Sequence, residues 1–379
     1  MQSTPRALYI HVPFCHHRCG YCNFTVIAGR PDLQEPYLQA LERELESIPS
    51  PLCLDTLYLG GGTPTELTPP FLARLCERLC GCVSLAAGYE WTVEANPTGL
   101  QPAHLDILRA AGVNRISLGV QSFHSRKLKL LERDHDADDV RRIYARLREL
   151  FPQISLDLIC AVPDETLDEW QADLTAAMNL APEHLSVYAL TFEKGTTYWG
   201  RQLRSELVPV EEELQRRMLE YTWDTLSAAG WEHYEVSNFA RPGCRSRHNE
   251  VYWRGEPYYA IGPGASRYVH GRRETNHRST TTYLQRVLSG QSPVAETDEL
   301  APADRAREML VFRLRMLEGI TRQEFLDRTG FSLDTLVERP LRKYVACGLL
   351  RDHADRIQLT REGLLVSDAI WPEFLSADS

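Results

Sequence analysis

The sequence predicts an α/β fold: a partial, open barrel of parallel strands and helices, followed by a C-terminal α-rich domain of winged-helix-like order. Three observations predict it. Short apolar runs alternate with amphipathic stretches through the first two-thirds of the 379 residues, the pattern of strand–helix–strand units with right-handed crossovers. Six such units fall short of the eight that close a barrel. From about Ala303 the order becomes helix, helix, helix, short hairpin, helix.

The elements follow in order. Leu8 to Val12 reads as the first strand, then comes a cysteine-rich loop and a helix from about Glu35 to Ile48. Leu54 to Leu59 is a strand running into Gly60-Gly61-Gly62, with a helix from about Pro70 to Cys80 behind it. Tyr89 to Ala95 is a strand, Pro102 to Ala111 a helix, Arg115 to Val120 a strand and Ala137 to Leu150 a helix. Ile154 to Ile159, Leu167 to Leu180 and His184 to Leu190 complete the series as strand, helix and strand. A long helix from about Glu211 to Ala229 leads to Trp231–Val236 and a stretch punctuated by Pro242-Gly243 and Gly262-Pro263-Gly264. In the last part, Leu349-Leu350 and Ile357–Leu359 form the hairpin. The expected division is 1–209 for the partial barrel, 210–300 for an extension of it and 301–379 for the C-terminal domain.

Composition narrows the functional classes. Hydrophobic residues make up 43% and charged residues 25%, ordinary for a globular protein. The net charge of −10 opposes binding to phosphate backbones, and the acids Glu308, Glu318, Glu324, Asp327, Asp334 and Glu338 argue against DNA as the partner of the winged-helix-like part. No apolar run approaches a membrane span, and Met1 to Val12 lack a signal-peptide pattern. The expected location is the cytoplasm, where the ten cysteines stay reduced or bind metal.

The chemistry-bearing residues fall at carboxyl ends of strands, where such folds build their sites. Cys15-His16-His17-Arg18-Cys19-Gly20-Tyr21-Cys22 follows the first strand. Three thiolates in one loop suit three irons of a cubane, with the fourth iron open. Zinc with His16 or His17 as fourth ligand, or three unrelated thiols, are the other readings of the spacing alone. Gly60-Gly61-Gly62-Thr63-Pro64 follows the second strand, Glu94 closes the third, Gln121 closes the fourth and Asp157 lies in the fifth.

Tyr9-Ile10-His11-Val12-Pro13-Phe14-Cys15 followed by Cys19, Tyr21-Cys22 and Phe24 resembles the signature of radical S-adenosylmethionine proteins. More narrowly, it resembles the branch of porphyrin metabolism that contains oxygen-independent coproporphyrinogen III oxidase and the HemW-type heme chaperones. The resemblance extends over nearly the whole chain. It implies a [4Fe–4S] cluster on Cys15, Cys19 and Cys22, and S-adenosylmethionine contacted by Tyr9, Tyr21, Gly61, Gly62, Thr63, Glu94, Gln121, Arg133 and Asp157. Glu94 takes the place of the ribose-contacting carboxylate. In the family's radical enzymes the reduced cluster gives one electron to the sulfonium. The resemblance assigns no catalytic residue here and leaves open whether S-adenosylmethionine is cleaved or only bound.

Two features separate the branches. The oxidase pattern carries a fourth cysteine where this chain has Phe24, and a long arm where only 14 residues precede Cys15. Arg247-His248-Asn249-Glu250-Val251-Tyr252-Trp253 fits the His-Asn-x-x-Tyr-Trp motif of the chaperone branch, and Tyr234–Ala240 also matches it. A heme chaperone that delivers heme to acceptor proteins is therefore expected, with the oxidase, a coproporphyrinogen dehydrogenase-like oxidoreductase, as the alternative. His248 is a candidate heme ligand, Cys244 its rival, and Arg245 and Arg247 candidate partners of propionates; a packed His248 that closes the barrel is the other reading. Implied partners are heme, heme-accepting proteins with a membrane protein among the options, an electron donor for the cluster, and no nucleic acid. The sequence leaves the oligomeric state open, a homodimer included. Ala161, where the family commonly has glycine, is expected to narrow the pocket beside Asp157. Cys76 and Cys80 share a helical face with Leu72, Leu75 and Leu79 and read as buried thiols; Cys53, Cys160 and Cys347 read as small apolar fillers. His11, His16 and His17 read as structural or solvent-facing.

Overall fold

The computed structural model describes residues 4–376 apart from Ser50 and Ala354. Strands and helices alternate as β1 (Ala7–Val12), α1 (Gln34–Glu46), β2 (Leu52–Gly61), α2 (Pro69–Cys82), β3 (Val83–Ala95), α3 (Pro102–Ala111), β4 (Arg115–Gln121), α4 (Ser125–Leu130), α5 (Ala137–Leu150), β5 (Gln153–Cys160), α6 (Leu167–Asn179) and β6 (His184–Ala189). Of these, only the short α4 escaped the sequence reading. Next come α7 (Thr197–Leu203), α8 (Glu212–Ala228), β7 (Glu232–Glu235), β8 (Asn238–Ala240), α9 (Arg247–Trp253) and β9 (Tyr259–Ile261). One nine-stranded sheet runs in the order β9-β1-β2-β3-β4-β5-β6-β8-β7. β1 to β6 are parallel, β9 joins β1 in parallel, and β8 turns antiparallel against β6. The sheet curls without closing, which is the open barrel the sequence predicts.

Alternation along the strands explains the curl. Leu8 and Ile10, Leu57 and Leu59, Trp91 and Val93, Ile116 and Leu118, Leu156 and Leu158 are all fully buried in one core shared with the outer helices. The opposite face is polar, with Tyr9, Tyr58, Thr92, Glu94, Arg115, Ser117, Ser155, Asp157, His184 and Ser186 around an interior chamber of about 220 Å³. A period of two therefore puts hydrocarbon outside and hydrogen-bonding groups inside. Helix starts are set locally. Asp136 accepts from the Asp138 and Asp139 amides to begin α5, and Thr166 with Glu169 forms a capping box for α6.

The stretch the sequence left irregular holds β10 (Ser266–Val269), β11 (Arg272–Asn276), α10 (Thr280–Leu288) and β12 (Val294–Asp298), the strands forming a small antiparallel sheet. The C-terminal part contains α11 (Pro302–Arg315), β13 (Ile320–Thr321), α12 (Arg322–Thr329), α13 (Leu333–Leu336), α14 (Glu338–Ala346), the hairpin β14 (Leu350–His353) with β15 (Arg356–Leu359), then α15 (Arg361–Leu365) and α16 (Ser367–Leu375). It has its own core, including Leu310, Leu314, Phe325 and Phe374, in the expected winged-helix-like order. No helix among the described residues is long and apolar enough to cross a membrane.

Three cysteine expectations need correction. Cys76 and Cys160 are buried, but Cys80, Cys53 and Cys347 are exposed. Cys80 lies at the rim of the α2 face it shares with Cys76, and its thiol donates to the Ala111 carbonyl at 3.6 Å.

Candidate functional site

The cysteine loop is clamped at its base. Phe14–Cys15 pairs in parallel with Ile27–Ala28, and the Ile27 amide donates to the Pro13 carbonyl at 2.7 Å. Within it the Cys22 amide closes a turn on the Cys19 carbonyl at 3.0 Å. Glu132, just after α4, accepts from the Gly20 amide at 2.8 Å and stands 3.0 Å from His17 Nε2. The Cys15 thiol lies 3.8 Å from Thr63 Oγ1, and Arg133 Nη1 points at the Cys19 sulfur from 3.9 Å. Burial pushes the Cys15 thiol up to about 12 and raises Cys22 as well. Such thiols give up their protons on binding a metal, not before it.

This loop forms one wall of a cavity of about 560 Å³. The other walls hold Gly61, Gly62, Thr63, Glu94, Gln121, Arg133 and Asp157, with Tyr21 beside the cysteines. Of the residues expected around a cluster and S-adenosylmethionine, the structure brings all into this cavity except Tyr9. The Tyr9 ring turns into the interior chamber, with its hydroxyl 3.0 Å from His11 Nδ1 and its ring 6.0 Å from that of Tyr58. Strand alternation put it there, one layer below the cavity floor.

Each cavity residue is held by its neighbours. Gly61 has φ 106, and a Cβ there would run into the His11 ring, so only glycine fits. Its amide donates to Glu94 Oε2 at 2.9 Å, while the Gly62 and Thr63 amides donate to the Val12 and Phe14 carbonyls. The amides of the glycine run are therefore already spent within the fold. Glu94 also accepts from Tyr58 Oη at 2.8 Å. Burial pushes its carboxyl up to about 7, and that of Asp157 up to about 6 against the help of Ser186 and Ser117. Both buried acids have capacity left for a ligand's hydroxyl donors.

Gln121 takes a left-handed backbone, φ 63, a conformation that costs roughly 1–3 kcal/mol and needs support. The support lies directly behind it. Asp173 accepts from Ser122 Oγ and the Phe123 amide, both at 2.7 Å, and meets buried Lys127 Nζ at 2.6 Å; Lys127 also pairs with Glu165. Sequence reasoning missed this cluster. It also missed Asn96, which donates to Thr63 Oγ1 at 2.8 Å and accepts from Arg133 Nη2 at 2.5 Å. The signal was available, because Asn96 stands two residues beyond Glu94. Ala161, expected to narrow the pocket, does not line it. It is buried in the core with φ 58, so the absent glycine acts through backbone strain.

The opposite, amino end of the barrel is closed by α9. Glu90 accepts from the Arg247 and His248 amides at 3.1 and 3.0 Å and caps that helix. His248 is 1% exposed. Its Nδ1 lies 2.8 Å from Thr56 Oγ1 and its Nε2 2.7 Å from Tyr252 Oη, and its ring stacks on Tyr58 at 5.0 Å. Burial pushes its imidazolium down to about 3, so the ring is neutral. One nitrogen of a neutral ring donates and the other accepts, which leaves no lone pair for iron. In this structure His248 is packed at the barrel's amino end, with both ring nitrogens engaged by the Thr56 and Tyr252 hydroxyls. Arg245 is held by Glu232 and Glu250, while the exposed Arg247 bonds the Gly88 carbonyl. Cys244 sits at this same end, its carbonyl accepting from Arg115 at 3.1 Å.

No three His, Cys, Asp or Glu side chains among the described residues converge closely enough to share one metal ion. A cubane, whose thiolates bind separate irons, needs no such convergence.

Residues 9–177 match the radical SAM superfamily and residues 300–366 the HemN C-terminal domain. The heme chaperone HemW of Bacillus subtilis is 33% identical over 375 residues, 98% of this chain and 99% of that protein. HemW of Lactococcus lactis is 34% identical over 100% of this chain and 99% of its own, and HemW of Escherichia coli 35% identical over 98% of each. The solved structure of coproporphyrinogen III oxidase (HemN) from Escherichia coli superposes with a TM-score of 0.85, covering 98% of this chain and 90% of that one at 24% identity. That last likeness carries the fold alone.

Proposed function

The chain belongs to the HemW family within the radical SAM superfamily, and from that premise we propose that it binds heme and hands it to heme-accepting proteins in the cytoplasm. One observation carries this reading. The relatives named heme chaperone match over the whole chain, including α9 and the C-terminal domain, and not only over the radical SAM core.

On this scaffold, Cys15, Cys19 and Cys22 would hold a [4Fe–4S] cluster, a three-thiolate set that would leave room for S-adenosylmethionine as a further ligand. The donor chemistry fits: three thiols share one loop and one cavity wall. When bound, the cluster supplies one-electron chemistry to the sulfonium. The chain's own residues bind and orient. The carbonyls of Gly61, Gly62 and Thr63, which line the cavity, would accept from the ligand's ammonium. Glu94 would accept from the ribose hydroxyls, and Asp157, Gln121, Arg133 and Tyr21 would fix the remainder of the ligand. Burial of Glu94 and Asp157 strengthens each such bond by excluding water.

The test is an anaerobic titration of the reconstituted protein with hemin, followed by mixing with an apo heme protein. Binding near one heme per chain and transfer of that heme are expected; absence of stoichiometric binding overturns the chaperone reading. Incubation with coproporphyrinogen III under reducing conditions should yield no protoporphyrinogen, and its appearance would favour the oxidase.

A further inference from the structure

With His248 tied to Thr56 and Tyr252, the heme of the proposed function needs another seat. A second cavity, of about 420 Å³, lies where the end of α9 meets α11, α12 and the small antiparallel sheet. Ligand pockets range over roughly 300–1,000 Å³. Resting on the heme-binding reading, we propose that this cleft seats the porphyrin, its ring against Trp253, Phe312 and Met309 and its carboxylates toward Arg305 and Arg328.

The chemistry of the walls points to a flat, apolar, dianionic ligand. The Trp253 and Phe312 rings lie 6.4 Å apart at 59°, and Tyr252 meets Tyr258 edge-on at 4.7 Å. Aromatic surface of this kind packs on a porphyrin face. The wall cations differ in how they are matched. Arg273 is saturated, with two bonds to Glu308 at 2.6 and 2.9 Å. Arg305 lines the cleft, and its side chain makes no ion pair or hydrogen bond with the described residues. Its guanidinium lies across Gly271, where φ is +75 and a side chain would displace it. Arg328 makes only a distant pair with Glu324, at 3.7 Å, and a bond to the Arg254 carbonyl at 2.5 Å. Of the two acids at the cleft, Glu308 is taken by Arg273 and Glu256 is exposed. The cleft thus carries surplus positive charge beside an apolar wall. The Trp253 indole N–H is buried without an acceptor. Donors known to ligate heme iron, the thioether of Met309 and the phenols of Tyr258 and Tyr268, also line it.

The His-Asn-x-x-Tyr-Trp motif then has two jobs. His248 and Tyr252 lock the barrel end, and Trp253 presents the next turn of the same helix to the cleft.

The experiment titrates hemin, and in parallel iron-free protoporphyrin, into reconstituted wild type, Arg305→Glu and Phe312→Ser, following Soret absorbance and quenching of tryptophan fluorescence. Cluster iron content and thermal melting report that each variant is folded. Wild type should bind one porphyrin per chain. Each variant should bind about tenfold or more weakly, as loss of a charge-assisted contact or an aromatic wall implies, with cluster content unchanged. If wild type binds no heme, the chaperone reading itself fails. If wild type binds and both folded variants bind equally well, the cleft is not the seat and the chaperone reading survives.

Discussion

The two ends of the barrel are built from the same six strands and from similar residues, yet they differ in how much hydrogen-bonding capacity is already spent. At the amino end Thr56, Glu90, His184 and His248 have partners among neighbouring side chains and the backbone of α9, His184 lying 2.7 Å from Ser155 Oγ and 2.8 Å from Tyr234 Oη through its two nitrogens, and among the described chamber residues Arg115 Nη2 and Thr92 Oγ1 are buried without a partner. At the carboxyl end the three thiols have only long contacts, Glu94 and Asp157 carry raised pKa values, and a cavity of about 560 Å³ separates them. A polar cluster whose bonds are mostly spent acts as a structural joint, and one with most of its capacity open is a candidate site. A histidine in a signature motif is thus no guide to ligation until its two nitrogens have been accounted for.

The contrast can be broken most severely at the thiols. Replacing Cys15, Cys19 or Cys22 with alanine should reduce iron and sulfide in anaerobic, reconstituted protein to background, measured by colorimetric analysis; full iron content in any one variant would remove that cysteine from the ligand set. The amino end should answer in stability instead. His248→Asn leaves Thr56 Oγ1 and Tyr252 Oη without their buried partner, at roughly 1–3 kcal/mol for each unsatisfied group. Denaturant unfolding should show that loss, while heme binding falls only with the folded fraction. Loss of heme from a fully folded variant would return His248 to the ligand role.

A smaller effect sharpens the carboxyl end. The Glu94 carboxyl, raised to about 7 by burial, favours the folded, ligand-free chain in acid, and that contribution is lost as pH rises from the ordinary carboxylate range through about 7. A ligand that donates hydroxyls to the carboxylate prefers the ionised form. S-adenosylmethionine affinity should therefore rise about tenfold between pH 6 and 8 by linkage, as measured by calorimetry, with proton release at the lower pH. Glu94→Gln should flatten the profile; a flat profile in wild type would show that Glu94 does not meet the ligand. Smallest of all, Ala161→Gly should relieve the left-handed backbone at φ 58 and change stability by about 1 kcal/mol in the stabilising direction. An unchanged melting temperature would mean that glycine's extra freedom in the unfolded chain cancels the gain.

Much of this was legible from local pattern. The six parallel strands and their helices show as period-two and period-3.6 runs, and most residues that meet in the cavity lie at or near a strand's carboxyl end, Arg133 beyond α4 being an exception. What escaped depends on tertiary partners. β9 is three residues long and exists because it pairs with β1, and nothing local marks it. The interior chamber was visible in principle, since Thr56, Tyr58, Glu90, Thr92, Glu94, Ser155 and Asp157 alternate with leucines and other apolar residues. Strand type could be read from that alternation, but which face turned inward could not. Tyr9 illustrates the consequence: it lies in the signature run, yet alternation sends its ring to the chamber. Positive φ at Gln121 and Ala161 also has no sequence signal, because non-glycine residues there are held by packing around them, as Asp173 and Lys127 hold the turn after Gln121.

The most direct test is electron paramagnetic resonance of the reduced, reconstituted protein with and without S-adenosylmethionine. A cubane signal that changes shape on addition of the ligand, and fails to change in Glu94→Ala, is the expected result. A signal indifferent to the ligand in wild type, or no cluster signal at all, would contradict an open iron facing this cavity.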